Sequence, residues 1–325
     1  MKKPRDMVDN VTIGIIMPAY NVEKYIGEAL QSLLDQSLSP DEIVIINDGS
    51  TDSTLSVISG FSFSCPLTVI TTENNGQGAA RNIGVSLAAS DYIYYLDSDD
   101  LLDKDFIKIA KQELIQSGCP DIFLFSGESF FDDHSQHRMI EYKRGFEGFF
   151  ESESSLLRSA KGSHSLSCSP CLYVSKRKLW GAGKLEFGPN YYEDDALFYP
   201  LLFSCSSFRV IDTPLFRRRI RKGSTMTIPK NEKHVLGALN CLVTTLELYH
   251  SFSPSSVQAS QVAKKVEAFS IKYIRCCRVA DYRPVYAPIF LSLKISKRPR
   301  YLVRLFVSWI GLNRLINILR SRRTT

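Results

Sequence analysis

Three carboxylates fall within four residues at Asp97-Ser98-Asp99-Asp100, directly after the apolar run Tyr92-Ile-Tyr-Tyr-Leu96. Carboxylates this close repel one another unless a cation or ordered solvent compensates them. The cluster therefore reads in one of two ways. It is a Mg2+ or Mn2+ site completed by substrate phosphates, or the cap and first-turn acids of a following helix, with Asp100 or Asp103 as cap. A calcium loop of the EF-hand kind starting at Asp97 fails, because its glycine position holds Leu102 and its twelfth position Lys108. A second acidic group, Glu193-Asp194-Asp195, is flanked by Tyr191, Tyr192 and Phe198. It suits a helix N-terminus, yet among aromatic side chains a partly desolvated carboxylate could also act as a general base.

Three further clusters carry polar groups at close spacing. Asn47-Asp48-Gly49-Ser50 is a turn sequence that could cap the next helix. Asn74-Asn-Gly76-Gln-Gly78-Ala-Ala-Arg81-Asn82 approaches the dinucleotide fingerprint, but Arg81 stands where that pattern needs a small residue for close helix–strand packing, which disfavours hydride transfer. Arg81 near a helix N-terminus could meet a phosphate, or form a salt bridge with the acids at 97–100. Arg217-Arg-Arg219-Ile-Arg221 reads as a solvated surface run or as a diphosphate clamp. The eight cysteines include Cys168-Ser-Pro-Cys171, without the second pair or histidines a zinc site requires; residues 1–6 lack the apolar core of a signal peptide, so reduced thiols are expected.

The elements that must position these clusters alternate. Apolar, β-branched runs at Val11–Met17, Glu42–Ile46, Leu67–Ile70 and Asp91–Leu96 read as strands. Helical spacing appears at Tyr25–Asp35, Thr54–Ile58, Ala79–Ala89 and Lys104–Gln116. This alternation predicts parallel βαβ units, and the polar clusters at 18–21, 47–52 and 97–100 all fall at strand C-termini, where a doubly wound sheet places its site. Asp121–Phe125, Cys171–Val174 and Phe208–Ile211 are further strand candidates, 126–165 is expected to be loop-rich, and from about Asn231 the pattern is helical.

The chain's 325 residues, 44% hydrophobic and 23% charged, suit one large α/β domain with an extension and argue against disorder or a fibrous repeat. Its net charge of +6 is unevenly spread, since residues 271–325 hold 13 of the 40 Lys and Arg and only one of the 34 acids, Asp281. A basic tail on an acidic body implies a localised anionic surface rather than nucleic acid. Within it, Arg300, Arg304, Ser308, Gly311, Arg314 and Asn317 form one stripe of a helix whose other faces carry Leu302, Leu305, Phe306, Trp309, Ile310, Leu312 and Ile316. The bases interrupt it too often for a spanning segment, so 296–325 reads as a basic amphipathic helix lying on an anionic membrane, or as one packed on the protein or a second subunit.

Taken together and in order, Ile15-Ile-Met-Pro18-Ala19-Tyr20-Asn21, Asn47-Asp48-Gly49-Ser50-Thr-Asp52, Gly78-Ala-Ala-Arg81-Asn82, Tyr95-Leu-Asp97-Ser98-Asp99-Asp100, Glu193-Asp194 and Arg219-x-Arg221-x-x-Ser224 resemble a family 2 inverting glycosyltransferase of the bacterial surface-polysaccharide type. The resemblance covers about 11–226. It implies an α/β fold of the GT-A type, a Rossmann-like, mostly parallel sheet flanked by helices, with a helical C-terminal extension. The implied division is a tail at 1–10, a transferase domain at 11–226 (nucleotide-binding half 11–100, acceptor half 101–226), and a helical region at 227–325.

The resemblance also implies roles. Pro18, Ala19, Tyr20, Asn21, Asp48, Gly49, Ser50, Arg81, Asp97, Ser98, Arg219 and Arg221 would bind a UDP-sugar donor, and Asp99 with Asp97 would hold Mn2+ or Mg2+. Glu193, Asp194 or Asp195 would supply the base. Asn47 departs from the family's frequent first Asp, and the spacing to Phe198 leaves Asp194 and Asp195 both open. The acceptor implied is a glycan or a polyprenyl-diphosphate-linked glycan, in lipopolysaccharide, O-antigen or capsule assembly, with the enzyme cytoplasmic and peripheral on the inner face of the bacterial membrane. A nucleotidyltransferase on a similar site, or a nucleotide-sugar-binding protein without turnover, are the alternatives. Donor sugar, linkage and oligomeric state have no signature in the chain.

Overall fold

The computed structural model describes residues 11–132, 141–160, 165–221, 223–224, 227–253, 256–296, 301–302 and 305. The tail at 1–10 and the greater part of 296–325, with its expected amphipathic helix, lie outside the described residues.

The described chain divides into two compact units: residues up to Pro189 together with Pro200–Ile228, and Asn190–Tyr199 together with the residues from Pro229 onward. In the first, β1 (Ile13–Ala19), α1 (Ile26–Leu34), β2 (Glu42–Asp48), α2 (Thr54–Ser59), β3 (Leu67–Thr72), α3 (Gln77–Leu87) and β4 (Tyr92–Tyr95) follow the expected alternation. β5 (Leu101–Leu102), α4 (Phe106–Gln116), β6 (Ile122–Phe131), β7 (Gly148–Phe150), α5 (Glu153–Ser159) and β8 (Tyr173–Lys176) come next. Then α6 (Glu193–Phe203), within which the division between the units falls, leads to β9 (Phe208–Ile220).

All the strands join one sheet in the order β3-β2-β1-β4-β8-β6-β9-β5, with β7 on β9. β1, β2, β3 and β4 pair in parallel. Antiparallel pairing enters at β8, which runs against both β4 and β6, so the sheet is mixed beyond the first four strands. Every residue of β1 is buried, as a central strand covered on both faces requires, whereas β3 at the edge alternates between exposed and half-buried positions. The core runs from Ile13, Ile15 and Met17 through Ile43 and Ile45 to Tyr94, Phe106, Phe123 and Phe125, whose rings meet at 4.5–6.0 Å between centroids.

The stretch expected to be loop-rich, 126–165, instead contains the second half of β6 together with β7 and α5. Its anchor is Arg144, a buried side chain that donates to the carbonyls of Phe125 (2.9 Å), Ser165 (3.3 Å) and Leu172 (2.7 Å). Burial lowers the Arg144 guanidinium to about 10. β9 is likewise far longer than the four residues expected, because its polar half pairs with β6 from Ser126 to Phe131.

In the second unit, α7 (Glu232–His250) and α8 (Val257–Val279) lie along one another, and α9 (Ala287–Ile295) packs on both. Ala259, Val262, Val266, Phe269 and Tyr273 of α8 and Val235, Ala238, Cys241 and Leu242 of α7 form the buried faces, at the helical spacing the sequence predicts. Among the described residues no helix is long and apolar enough to cross a membrane.

Candidate functional site

The strand order places β1 between β2 and β4, so the chain's winding reverses between β1 and β4, the switch point at which open α/β sheets bind ligands. The ladder from β1 to β4 ends at Ile16, while that to β2 continues through Pro18 and Ala19. Pro18 thus occurs where β1 has a neighbour on one side only, which lessens the cost of its missing N–H. Beyond it, Tyr20 is 47% exposed, and Asn21 adopts the left-handed region with φ 49°. The Asn21 amide donates to Ser50 Oγ (3.1 Å), and its Oδ1 accepts from the Thr51 amide (2.8 Å), tying the end of β1 to the loop after β2.

Asp48, which ends β2, is buried. Its Oδ1 accepts from the Asn75 amide (2.9 Å) and the Thr72 hydroxyl (3.3 Å), and its Oδ2 from the Gly76 amide (2.8 Å). It therefore organises the loop that starts α3, and Asn47 supports the same corner through Thr71 (3.2 Å) and the Ser50 amide (3.3 Å). Gly49 is required here twice over: its φ is +72°, and a Cβ would come within 2.8 Å of the Asn74 amide nitrogen.

Arg81 does not project into solvent. It is 2% exposed, and its guanidinium pairs with Asp97 Oδ1 at 2.8 Å, where Gln77 also donates at 2.6 Å. The salt bridge with the acids at 97–100, one of the two partners the sequence left open for Arg81, is present. The ring of Phe187 lies 5.1 Å from the guanidinium, and the Asn82 side chain donates from Nδ2 to the Phe187 carbonyl and accepts from the Phe187 amide at Oδ1, each at 2.9 Å. Adjacent residues of α3 thus hold Phe187 by ring and by main chain.

The basic run at 217–221 ends on the other side of the acidic cluster. Arg221 Nε donates to Asp99 Oδ2 at 2.7 Å. Arg219, with a side chain 3% exposed, bonds the Asp99 carbonyl (2.9 Å), Glu28 (2.9 Å) and Asp132 (2.6 Å), and its backbone amide donates to Asp100 Oδ1 (2.7 Å). Tyr25 and Phe130 flank it with ring centroids 5.3 and 4.6 Å away. Neither reading of this run foresaw that arrangement, in which Arg219 and Arg221 are turned onto protein carboxylates.

Burial pushes the Asp99 carboxyl above its ordinary value and the neighbouring Asp97 charge adds to this, with Arg221 opposing. Asp100 is raised well above it, by burial first and then by the charges of Asp99 and Asp97. Ser98 is buried between them. Carboxylates driven toward their neutral form by burial and then by their neighbours' charges gain from a divalent cation, and oxygen donors of this kind suit Mg2+ or Mn2+. The oxygen donors present at 97–100 therefore fit such an ion in kind. The Cys171 sulfur and oxygens of Asp97 and Asp100 all lie within 4.8 Å of one another. Burial, followed by those two charges, raises the Cys171 thiol far above its ordinary value, so it stays protonated beneath the cluster.

The acids at 193–195 belong to the other unit, where they form the first turn of α6. The Asp195 amide donates to Asp194 Oδ1 at 2.8 Å, and Lys272 of α8 forms an ion pair with Asp195. The sequence gives no sign of Lys272, Glu28, Asp132 or Phe187. Only Asn82 had a signal, as the last residue of a motif whose arginine drew the attention.

The profile of Glycosyl transferase family 2 matches residues 14–219. The glycosyltransferase GlyA of Streptococcus pneumoniae is 35% identical over 105 residues, 32% of this chain and 15% of that protein. GlyG, a glycosyltransferase of the same organism, is 28% identical over 222 residues, 66% of this chain and 72% of that protein. The chain thus aligns with a small part of one relative and most of another. The structure of S. aureus TarS 1-349 in complex with UDP-GlcNAc superposes with a TM-score of 0.59 over 92% of this chain and 89% of that one, at 18% identity, which is a likeness of fold. With polar clusters gathered at the β1–β4 switch and a match that runs from the second residue of β1 to the penultimate residue of β9, the chain belongs to glycosyl transferase family 2.

Proposed function

We propose that this glycosyltransferase moves a sugar from a UDP-sugar to a hydroxyl of a glycan or lipid-linked glycan with inversion at the anomeric carbon. The observation that carries this reading is the convergence of Asp48, the Arg81–Asp97 pair and Asp99 on one end of the parallel strands. The UDP-GlcNAc bound by TarS, a protein of the same fold, supports a UDP-sugar as donor.

Pro18, Ala19, Tyr20 and Asp48 would receive the uracil, with Asn21, Gly49 and Ser50 shaping the loop around it. Arg81 and Gln77 would hold Asp97 toward the ribose and donor sugar. Asp97 and Asp99 would hold a divalent ion whose charge offsets that developing on the departing diphosphate. Arg219 fixes the main chain of Asp99 and Asp100, and Arg221 fixes the Asp99 side chain. A carboxylate of the 193–195 group accepts the proton as the acceptor oxygen bonds to the anomeric carbon and the bond to UDP breaks. One displacement inverts the centre, so an α-linked donor gives a β-glycoside, by the single-base logic of inverting hydrolases. In a bacterial cell, the basic 296–325 segment would bring the enzyme to the inner face of the cytoplasmic membrane, where polyprenyl-diphosphate-linked glycans of lipopolysaccharide, O-antigen or capsule are assembled.

The test is UDP release from a panel of UDP-sugars with Mn2+, repeated with EDTA and with Asp99→Ala. Donor-selective release that both controls abolish is expected. Release unaffected by either control removes the metal and Asp99 from the mechanism, and absence of UDP binding overturns the donor assignment.

A further inference from the structure

The family match ends at residue 219 and so covers none of α7, α8 and α9, yet the residues leading into α6 rest on two of these helices. Tyr192 takes φ 64°, a conformation a large side chain adopts only where its surroundings enforce it. The enforcement comes from α7 and α8. A Cβ at Gly237 would run into the Tyr191 carbonyl oxygen, so α7 closes directly on that main chain. The Cys241 thiol donates to the Tyr192 carbonyl at 3.3 Å, and the His234 ring meets Tyr191 edge-on at 4.6 Å. From α8, Lys272 Nζ lies 3.4 Å from the centroid of the Tyr192 ring and forms the ion pair with Asp195.

One ammonium therefore joins the strained residue before α6 to the third acid of its first turn. A lysine over an aromatic face and against a carboxylate is held in place by both partners. It fixes the N-terminus of α6 from a helix 77 residues further along the chain. Asp195 is engaged from the side, through Lys272, while its own amide donates to Asp194.

We infer that Lys272 is a positioning residue for the base: by holding Tyr192 and Asp195 it sets the orientation of the first turn of α6, and the proton of the acceptor hydroxyl goes to Asp194. The inference rests on the reading that the 193–195 acids supply the base, and it assigns Asp195 the task of orienting that turn. The balance is unchanged: the acceptor oxygen gives its proton to the Asp194 carboxylate as its bond to the sugar forms and UDP departs.

The experiment uses the full chain with Lys272→Met, Lys272→Arg, Asp195→Asn, Asp194→Asn and the Lys272→Met/Asp195→Asn double variant. Turnover is measured with the UDP-sugar that the panel above identifies. Asp194→Asn is expected to lower kcat by about 10²–10⁴-fold. Lys272→Met and Asp195→Asn should each lower kcat by roughly 10–10²-fold with KM for the UDP-sugar unchanged. The double variant should be no worse than either single one, and Lys272→Arg should recover most of the loss. If Lys272→Met fails to fold, Asp195→Asn breaks the same ion pair at constant size and carries the measurement. Full kcat in the soluble ion-pair variants, with Asp194→Asn inactive, overturns the role of Lys272 and leaves the base in place. Full kcat in Asp194→Asn overturns the assignment of the base itself.

Discussion

Asp121 shows how a single carboxylate becomes part of the framework. It precedes β6, and burial alone would raise its carboxyl. The Ser206 amide at 2.9 Å, Lys176 at 2.9 Å and the Ser206 hydroxyl at 2.8 Å outweigh that and bring it down to about 2. A carboxyl lowered in the folded state contributes stability that is present above its unfolded value of 3.8 and is lost as pH falls through about 2. Asp121→Asn should accordingly cost on the order of 1–2 kcal/mol near pH 7. Urea melts of both proteins at a series of pH values should show that difference shrinking between pH 4 and pH 2; a pH-independent difference would mean that charge is not what Asp121 contributes. Asp99 and Asp100 are the opposite case, carboxyls pushed up by burial and by their neighbours. Carboxyls shifted in this way mark a candidate functional site.

At the scale of elements, what could be read from the chain was whatever depends on neighbours in sequence. Apolar runs followed by polar turns located β1, β2, β3 and β4 and placed Pro18–Asn21, Asn47–Asp52 and Asp97–Asp100 at their ends. Long-range partners were invisible. The run at 217–221 read as a solvated surface or a diphosphate clamp because its neighbours are bases; burial of Arg219 depends on Glu28, 191 residues away, and on Asp132. The same blindness shortened β9, whose polar half is a strand only because β6 lies beside it. The stretch 126–165 gave no pattern, and the bonds from Arg144 to the carbonyls of Phe125, Ser165 and Leu172 are of a kind that leaves none in side-chain types. Asp194 and Asp195 could not be told apart by spacing, and the Lys272 that pairs with Asp195 stands on α8, 77 residues further along.

Across the whole molecule, charge is segregated by position along the chain. Residues 296–325 contain eight Lys and Arg and no acid. At an anionic bilayer each base adds about 1 kcal/mol of attraction, so this segment is expected to carry the full chain onto vesicles containing phosphatidylglycerol at low salt. Removing 296–325 should return the protein to the buffer fraction in a sedimentation assay, and an unchanged partition would place the contact elsewhere.

The distribution of thiols has a use that has nothing to do with catalysis. Cys65, Cys119 and Cys168 are partly accessible, whereas Cys171 and Cys205 are buried in one unit and Cys241, Cys276 and Cys277 in the other. Each unit thus carries its own built-in timer. Alkylation under native conditions, followed by peptide mass spectrometry, should modify the three accessible thiols rapidly and the five others only at the rate at which their surroundings open. Equal rates for the two buried groups would mark one cooperative opening, and unequal rates would show which half of this transferase breathes first.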